Sequence, residues 1–66
     1  TVSAAIRAAR QAQGLSQEAL AETAGIDRSY MGGIERGEHN LAIMNLLKIA
    51  SALGVKASTL IDKVEI

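Results

Sequence analysis

The 66-residue sequence has no cysteine and no proline, and Tyr30 is its single aromatic residue. Without cysteine the chain can form no disulfide and offers no thiolate to a metal, and His39 alone does not make a zinc site. We therefore expect neither a metal nor another cofactor. A chain this short buries a small apolar core, so oligomerisation is the remaining means of stabilising it.

The sequence also lacks long apolar runs and a net charge. No run approaches the roughly 18 residues of a membrane span, and no basic-then-apolar leader opens the chain, so we expect neither a membrane span nor a signal peptide. Because the first residue is Thr1 and not methionine, trimming at the N-terminus stays open. Seven basic and seven acidic residues balance, so only the distribution of charge could indicate a nucleic-acid partner.

Helix-forming residues separated by glycines divide the chain into five predicted helices. Alanine and leucine are plentiful and runs of β-branched residues are absent, which favours helix over strand. The residues predicted to begin helices are Ser3, Ser16, Asp27 and Ser58. The residues predicted to end them are Gly14, Gly25, Gly37 and Gly54. The predicted helices cover about 3–13, 17–24, 28–36 and 42–53, and a fifth begins after Ser58 and runs to about Val64. The sequence therefore predicts one all-α domain over 1–66.

The second and third predicted helices are joined by little more than Gly25 and Ile26. A glycine at this place accepts the left-handed backbone of a tight turn. Two short helices across such a turn form a helix-turn-helix, here at about 16–36, whose second helix enters the DNA major groove.

A helical wheel of the third predicted helix separates two faces. Met31 and Ile34 lie on the face that points to the core. Gly32 and Gly33 fall on the outward face with Arg36, and we expect them to leave a bare surface toward DNA.

Arg28 lies at the exposed first turn of this helix and is the best candidate for recognising a base. An arginine fork matches O6 and N7 of guanine. The alternative is a solvated surface arginine, which could also pair with Asp27. Ser29 can contact a base edge or a phosphate, or it can serve as a second capping residue.

The fourth predicted helix is apolar around more of its circumference than one buried face needs. This excess predicts an isologous dimer interface within about 42–66, and the alternative is a helix fully buried in a monomer. The expected interface residues are Ile43, Met44, Leu47, Ile61 and Val64.

The segment GLSQEALAETAGIDRSYMGGIERG, at 14–37, resembles the helix-turn-helix family of phage Cro and lambda repressor, the xenobiotic-response-element class. The shared motifs are LSQE-x-LA, GI-x-x-S-Y, IERG and a later LLKIA-x-ALGV helix, so the resemblance extends from about Ile6 to Leu60. GIDRSYMGGIERGEHN further resembles the controller proteins of restriction–modification systems.

The resemblance implies a compact five-helix, lambda-repressor-like domain that binds double-stranded DNA. It further implies a homodimer on a palindromic operator that regulates its own operon and an endonuclease gene. The expected location is the bacterial or phage-infected cytoplasm, with the nucleoid, and no small-molecule ligand is expected.

The resemblance also assigns roles to individual residues. It implies phosphate contacts by Gln17, Tyr30, Arg36 and Asn40, although Gln17 could be an ordinary exposed helix former and Tyr30 a half-buried packing residue. Gly33 takes the place of a base-contacting side chain. His39 stands where controllers tend to have arginine, so it could contact a base. DNA binding would then strengthen as pH falls through about 6.5. The alternative for His39 is a solvated loop residue. A buried ion pair between Arg10 and Glu35 is implied as well.

Other functions fit the sequence less well. It shows no paired carboxylates in a plausible cleft, no nucleophile–histidine–acid set and no phosphate loop, so we do not expect an enzyme. The alternative to a controller is a protein-binding module such as an antitoxin, which uses the same domain and often carries a toxin-binding extension. No such extension is seen in this sequence, nor is the second domain that a ligand-sensing repressor would need.

Overall fold

A computed structural model describes residues 2–38 and 41–61, and this part of the chain is helical without any strand. The five helices confirm the predicted all-α class. None of the helices in these ranges is long and apolar enough to cross a bilayer. The helices are α1 (Val2–Ala12), α2 (Gln17–Ala24), α3 (Arg28–Glu35), α4 (Ile43–Leu53) and α5 (Ala57–Ile61).

The predicted serine caps are right at α2 and wrong at α1 and α5. Ser16 Oγ accepts a hydrogen bond from the third amide of α2 at 3.0 Å. Ser3 and Ser58, in contrast, lie inside helices that begin one residue earlier, at Val2 and Ala57. Both of these first residues pack against the core. Because packing of an apolar face contributes more to helix stability than local preference does, it sets these two starting points.

The ends of the helices follow the prediction more closely. The glycines expected to end helices, Gly14, Gly25, Gly37 and Gly54, all have φ between +70° and +74°. In addition, the side-chain amide of Gln13 donates to the carbonyl of Leu53 at 2.6 Å. This bond joins the C-terminal ends of α1 and α4.

The core draws side chains from all five helices. Helix α1 packs against α3, α4 and α5, and α2 packs against α3 and α4. Burying one such aliphatic side chain completely stabilises the fold by about 1.5–3 kcal/mol. Helix α3 contributes Met31 and Ile34, which fix its orientation on the domain. The largest fully buried apolar residues are Ile6, Leu20, Met31, Ile34, Ile49 and Leu60.

Candidate nucleic-acid interface

The turn between α2 and α3 sets the direction in which α3 leaves the body of the domain. Gly25 has φ +71° and ψ 34°, a left-handed conformation that a β-carbon would strain. The N–H of Ile26 donates to the carbonyl of Ala21 at 2.9 Å, and the N–H of Gly25 donates to that of Glu22 at 3.2 Å. This is the hydrogen-bond pattern of a Schellman motif. Only three residues therefore separate the end of α2 from the start of α3, as a helix-turn-helix requires.

The first turn of α3 is capped by Asp27. Its Oδ2 accepts hydrogen bonds from the backbone N–H groups of Ser29 and Tyr30, at 3.0 and 3.4 Å. Arg28 is exposed and forms no ion pair with any residue in 2–38 or 41–61. A pairing of Arg28 with Asp27 is thus not found, and the guanidinium is accessible to a ligand; its contact with a base stays a prediction.

Four of the predicted DNA contacts meet around one shallow, mostly polar recess. Gln17 comes from the start of α2, Arg28 and Ser29 from the start of α3, and Arg36 from the residue after α3, and Gly32 forms the floor between them. The amide-rich N-terminal ends of two helices therefore lie beside two guanidinium groups. This combination is suited to binding phosphate oxygens.

The expectation that Gly32 and Gly33 form a bare outer surface is wrong, because both are buried. A β-carbon built on Gly32 would lie 3.0 Å from Nη1 of Arg36 and 3.6 Å from Oε1 of Gln17. Gly32 does face the polar side of α3, but long side chains from its own helix end and from α2 cover it. The base contact assigned to the position of Gly33 stays a prediction, and no exposed surface at this residue supports it.

Glu35, the last residue of α3, is completely buried and bound by arginine. Its Oε2 accepts from Nε of Arg10 at 2.9 Å, and its Oε1 accepts from Nη2 of the same residue at 3.0 Å. Arg10 also donates through Nη1 to the carbonyl of Leu15 at 2.8 Å. The two residues that the resemblance pairs thus contact each other in a two-bond geometry that fastens α1 to α3.

Two further side chains complete the environment of Glu35. Gln17 donates from Nε2 to Oε1 of Glu35 at 3.3 Å. Arg7 places its Nε 3.8 Å from the same oxygen, and its Nη2 donates to the backbone carbonyl of Glu35. No buried side-chain oxygen or nitrogen in the described ranges lacks a hydrogen-bond partner. Gln17 therefore connects the buried pair to the recess, a role beyond the predicted phosphate contact.

Arg36 is held by a neighbouring carboxylate. Its Nε donates to Oε2 of Glu38 at 2.8 Å and its Nη2 donates to Oε1 at 3.2 Å, and both side chains are more than half exposed. The hydrogen bond, and after it the attraction between the charges, raises the pKa of Arg36 above its ordinary value. The guanidinium predicted to bind a DNA phosphate is thus bound to an anion in the free protein.

Tyr30 lies half-buried against the core, on the flank of α3. Its hydroxyl accepts a hydrogen bond from Nδ2 of Asn45, in α4, at 3.2 Å. The ring therefore packs against the core, which agrees with the alternative given for Tyr30, while its hydroxyl is hydrogen-bonded to a polar side chain. Its phosphate contact stays a prediction.

The residues expected to form a dimer interface are exposed wherever the structure describes them. Ile43, Met44, Leu47 and Ile61 are the large apolar side chains between 44 % and 63 % exposed. The opposite side of α4 is buried in the core through residues such as Leu46 and Ile49. A helix fully buried in a monomer, the alternative, does not describe α4.

Some predictions fall outside the described residues, and some functional neighbours were missed. The contacts assigned to His39 and Asn40, and the interface role of Val64, lie outside residues 2–38 and 41–61. Sequence reasoning missed Arg7, Glu38 and Asn45. Arg7 precedes Arg10 by three residues, a spacing that places both on one helix face and could have indicated a shared partner.

Comparison with known proteins places this geometry among DNA-binding domains. Residues 6–60 match the family model described as helix-turn-helix. The chain is 45 % identical over 56 residues to a hypothetical transcription factor of Neisseria meningitidis, covering 85 % of this chain but only about half (53 %) of that protein. It is 38 % identical over 58 residues to the control protein C.SmaI of Serratia marcescens, covering 88 % of this chain and 69 % of that protein.

A solved structure agrees with these sequence matches. The restriction-modification controller protein C.AhdI from Aeromonas hydrophila superimposes with a TM-score of 0.88 at 47 % sequence identity, and the match covers 89 % of each chain. The similarity thus includes nearly all of α1 to α5, and it is not limited to the two helices of the motif.

Proposed function

Since the chain belongs to the helix-turn-helix family and is therefore a DNA-binding regulator of transcription, not an enzyme, we propose that it binds a palindromic operator as a homodimer and controls a restriction–modification operon. The observation that carries the proposal is the pairing of two surfaces in one small domain. One is the polar recess at the start of α3, and the other is the apolar outer side of α4 and α5.

The apolar surface supports the homodimer. Ile43, Met44 and Leu47 follow one another at helical spacing along α4, and Ile61 adds an exposed apolar side chain from α5. Large apolar side chains exposed in this way mark an interaction site, and a second copy of the chain is the simplest occupant because an isologous contact uses the same surface twice. A dimer also increases the apolar area that a chain of this length buries.

The recess supports recognition of DNA. Arg28 reaches outward from the first turn of α3 without an ion pair in the described ranges, so it can form the two-bond contact with guanine. Ser29 lies beside it, and Gln17 and Arg36 border it where phosphates would pass. Two copies would present two α3 helices to major grooves about 34 Å apart, which corresponds to a palindromic site.

The similarity to C.SmaI and C.AhdI supports the more specific role. Their names identify them as a control protein and a restriction-modification controller, and C.AhdI matches this chain over most of both sequences. We therefore expect the operator to lie upstream of the gene of this protein, beside genes for a methyltransferase or an endonuclease. A toxin gene in that place would favour the antitoxin function instead.

Two measurements test the dimer. Sedimentation equilibrium should give twice the mass of the chain for the wild type and one chain for Leu47→Glu, because a charge at the centre of an apolar interface is desolvated without a partner. Gln11→Glu is the matched control, since it adds the same charge to an exposed position of α1. A wild type that stays monomeric at high micromolar concentration would rule out the homodimer.

Gel-shift titration tests the operator. Fragments from upstream of the gene should be retarded by the wild type and by Gln11→Glu but only weakly by Leu47→Glu. If a dimer neutralises about six phosphates, log affinity should fall against log salt with a slope of about −5. Failure to retard any upstream fragment at low salt would contradict autoregulation.

A further inference from the structure

Arg36 lies at the edge of the recess, and its guanidinium donates hydrogen bonds to the carboxylate of Glu38. The carboxylate of Glu38 contacts the Nε–Nη2 edge of the guanidinium through two parallel hydrogen bonds. Arginine binds a phosphate group through the same kind of paired bonds. The edge of Arg36 best suited to the DNA backbone is therefore taken by an anion of its own chain.

Gly32 allows this arrangement. The Nη1 of Arg36 would lie only 3.0 Å from a β-carbon at Gly32, which is closer than carbon contacts normally permit. Because glycine has no side chain, the guanidinium folds back against α3 and remains within reach of Glu38. The buried glycine on the polar side of α3 thus leaves space for Arg36.

The pairing reduces the positive charge of the candidate interface. Of the residues bordering the recess, Arg28 and Arg36 carry full positive charges. Arg28 has no ion pair in 2–38 or 41–61, whereas Glu38 offsets the charge of Arg36. The electrostatic attraction between the recess and DNA is therefore weaker than two unpaired arginines would give.

We propose that Glu38 is an internal competitor for the DNA phosphate that Arg36 binds. In the free protein the carboxylate takes the place of a phosphate at the guanidinium, and in the complex a phosphate oxygen replaces it. The proposal rests on the proposed DNA-binding function, and it assigns to Glu38 the role of limiting affinity. Because phosphates are the same in every sequence, the limit applies equally to operator and to other DNA.

The experiment compares wild type with Glu38→Gln and with Glu22→Gln, which removes the same charge from an exposed position near the end of α2. Affinity is measured by fluorescence anisotropy for a random-sequence duplex and for the fragment upstream of the gene, from about 0.05 to 0.5 M salt. Glu38→Gln should bind both duplexes roughly five- to tenfold more tightly at about 0.1 M salt. Its salt slope should steepen by about 0.9 for each Arg36 that no longer exchanges Glu38 for a phosphate, so a dimer gains up to about 1.8.

Each other outcome has a definite meaning. Weaker binding by Glu38→Gln would overturn the proposal, because Glu38 would then orient Arg36 for its phosphate. Equal gains for Glu38→Gln and Glu22→Gln would also overturn it, since net charge alone would explain the result. The random duplex separates this inference from the proposed function, because loss of preference for the upstream fragment would reject the operator while leaving the effect of Glu38 measurable.

Discussion

Two arginine–glutamate pairs lie at the C-terminal end of α3, and they share their chemistry but not their surroundings. Arg10 and Glu35 have side chains 12 % and 0 % exposed, whereas those of Arg36 and Glu38 are 57 % and 56 % exposed. In both pairs two guanidinium nitrogens donate to two carboxylate oxygens. Geometry alone therefore does not distinguish them.

Burial decides what each pair can do. Neither member of the buried pair can be exchanged for water, so each stays with its partner and holds α1 against α3. The exposed pair is screened by solvent and salt, and either member can leave for another ion. An arginine–glutamate pair thus holds two helices together when it is buried in the domain, and it is exchangeable when it lies at the surface.

Glu35→Ala should have the largest effect, because it leaves the buried charge of Arg10 without its partner. Breaking a buried pair in this way costs about 3–5 kcal/mol. For a domain of this size each kcal/mol lowers the melting temperature by about 4–8 °C, so thermal unfolding followed by circular dichroism should show a fall of at least about 12 °C.

The control for this prediction replaces both partners. Arg10→Met combined with Glu35→Leu removes both charges and should recover much of the lost stability, because apolar groups of similar size need no partner. An unchanged melting temperature in Glu35→Ala would mean that the buried contact does not hold the two helices together.

The sequence predicted those parts of the fold that depend on local chemistry. Ser16, Asp27 and Gly25 bound α2 and α3 through hydrogen bonds to residues close in the chain, so their positions could be predicted without knowledge of packing. The starts of α1 and α5 depend on packing against distant helices, and there the prediction failed by one and two residues.

Less of the candidate site than of the fold could be predicted from the sequence. A helical wheel places Gly32 and Gly33 opposite the core and treats that side as open, but it cannot represent long side chains that fold back over it. The family resemblance identified Glu35 as the partner of Arg10. The position of Arg10 on an apolar face indicates that its side chain is buried, but it does not identify the carboxylate that binds it. The contact between Arg36 and Glu38 forms beyond the end of α3, where helical spacing no longer applies.

Gln17→Ala should have an intermediate effect, since Gln17 contacts the buried pair and borders the recess. Losing its hydrogen bond to Glu35 should destabilise the domain by about 0.5–1.5 kcal/mol, because Arg10 still holds that oxygen. Affinity for the random duplex should fall by a similar factor at every salt concentration, and the salt slope should not change, because the amide carries no charge. Glu18→Ala, which changes the next residue of α2, is the control; equal losses in the two variants would assign the effect to the helix and not to this amide.

Gly32→Ala should stabilise the domain slightly. Alanine within a helix is favoured over glycine by about 0.5–1 kcal/mol, and the flexible end of Arg36 can yield the few tenths of an ångström that a β-carbon needs. Gly25→Ala is the contrasting variant and should lower the melting temperature, because its φ of +71° strains a β-carbon. A lower melting temperature in Gly32→Ala would show that Arg36 cannot move aside.

Glu38→Ala should have the smallest effect on stability, even though it removes two hydrogen bonds from Arg36. Both side chains are exposed, so water replaces the lost contacts and the melting temperature should match that of the wild type at low salt and near 1 M salt. The same preparation should bind random duplex DNA more tightly than the wild type. Since Glu35→Ala is expected to destabilise the domain strongly, a marked loss of stability in Glu38→Ala would remove the distinction between the two pairs and make both of them structural.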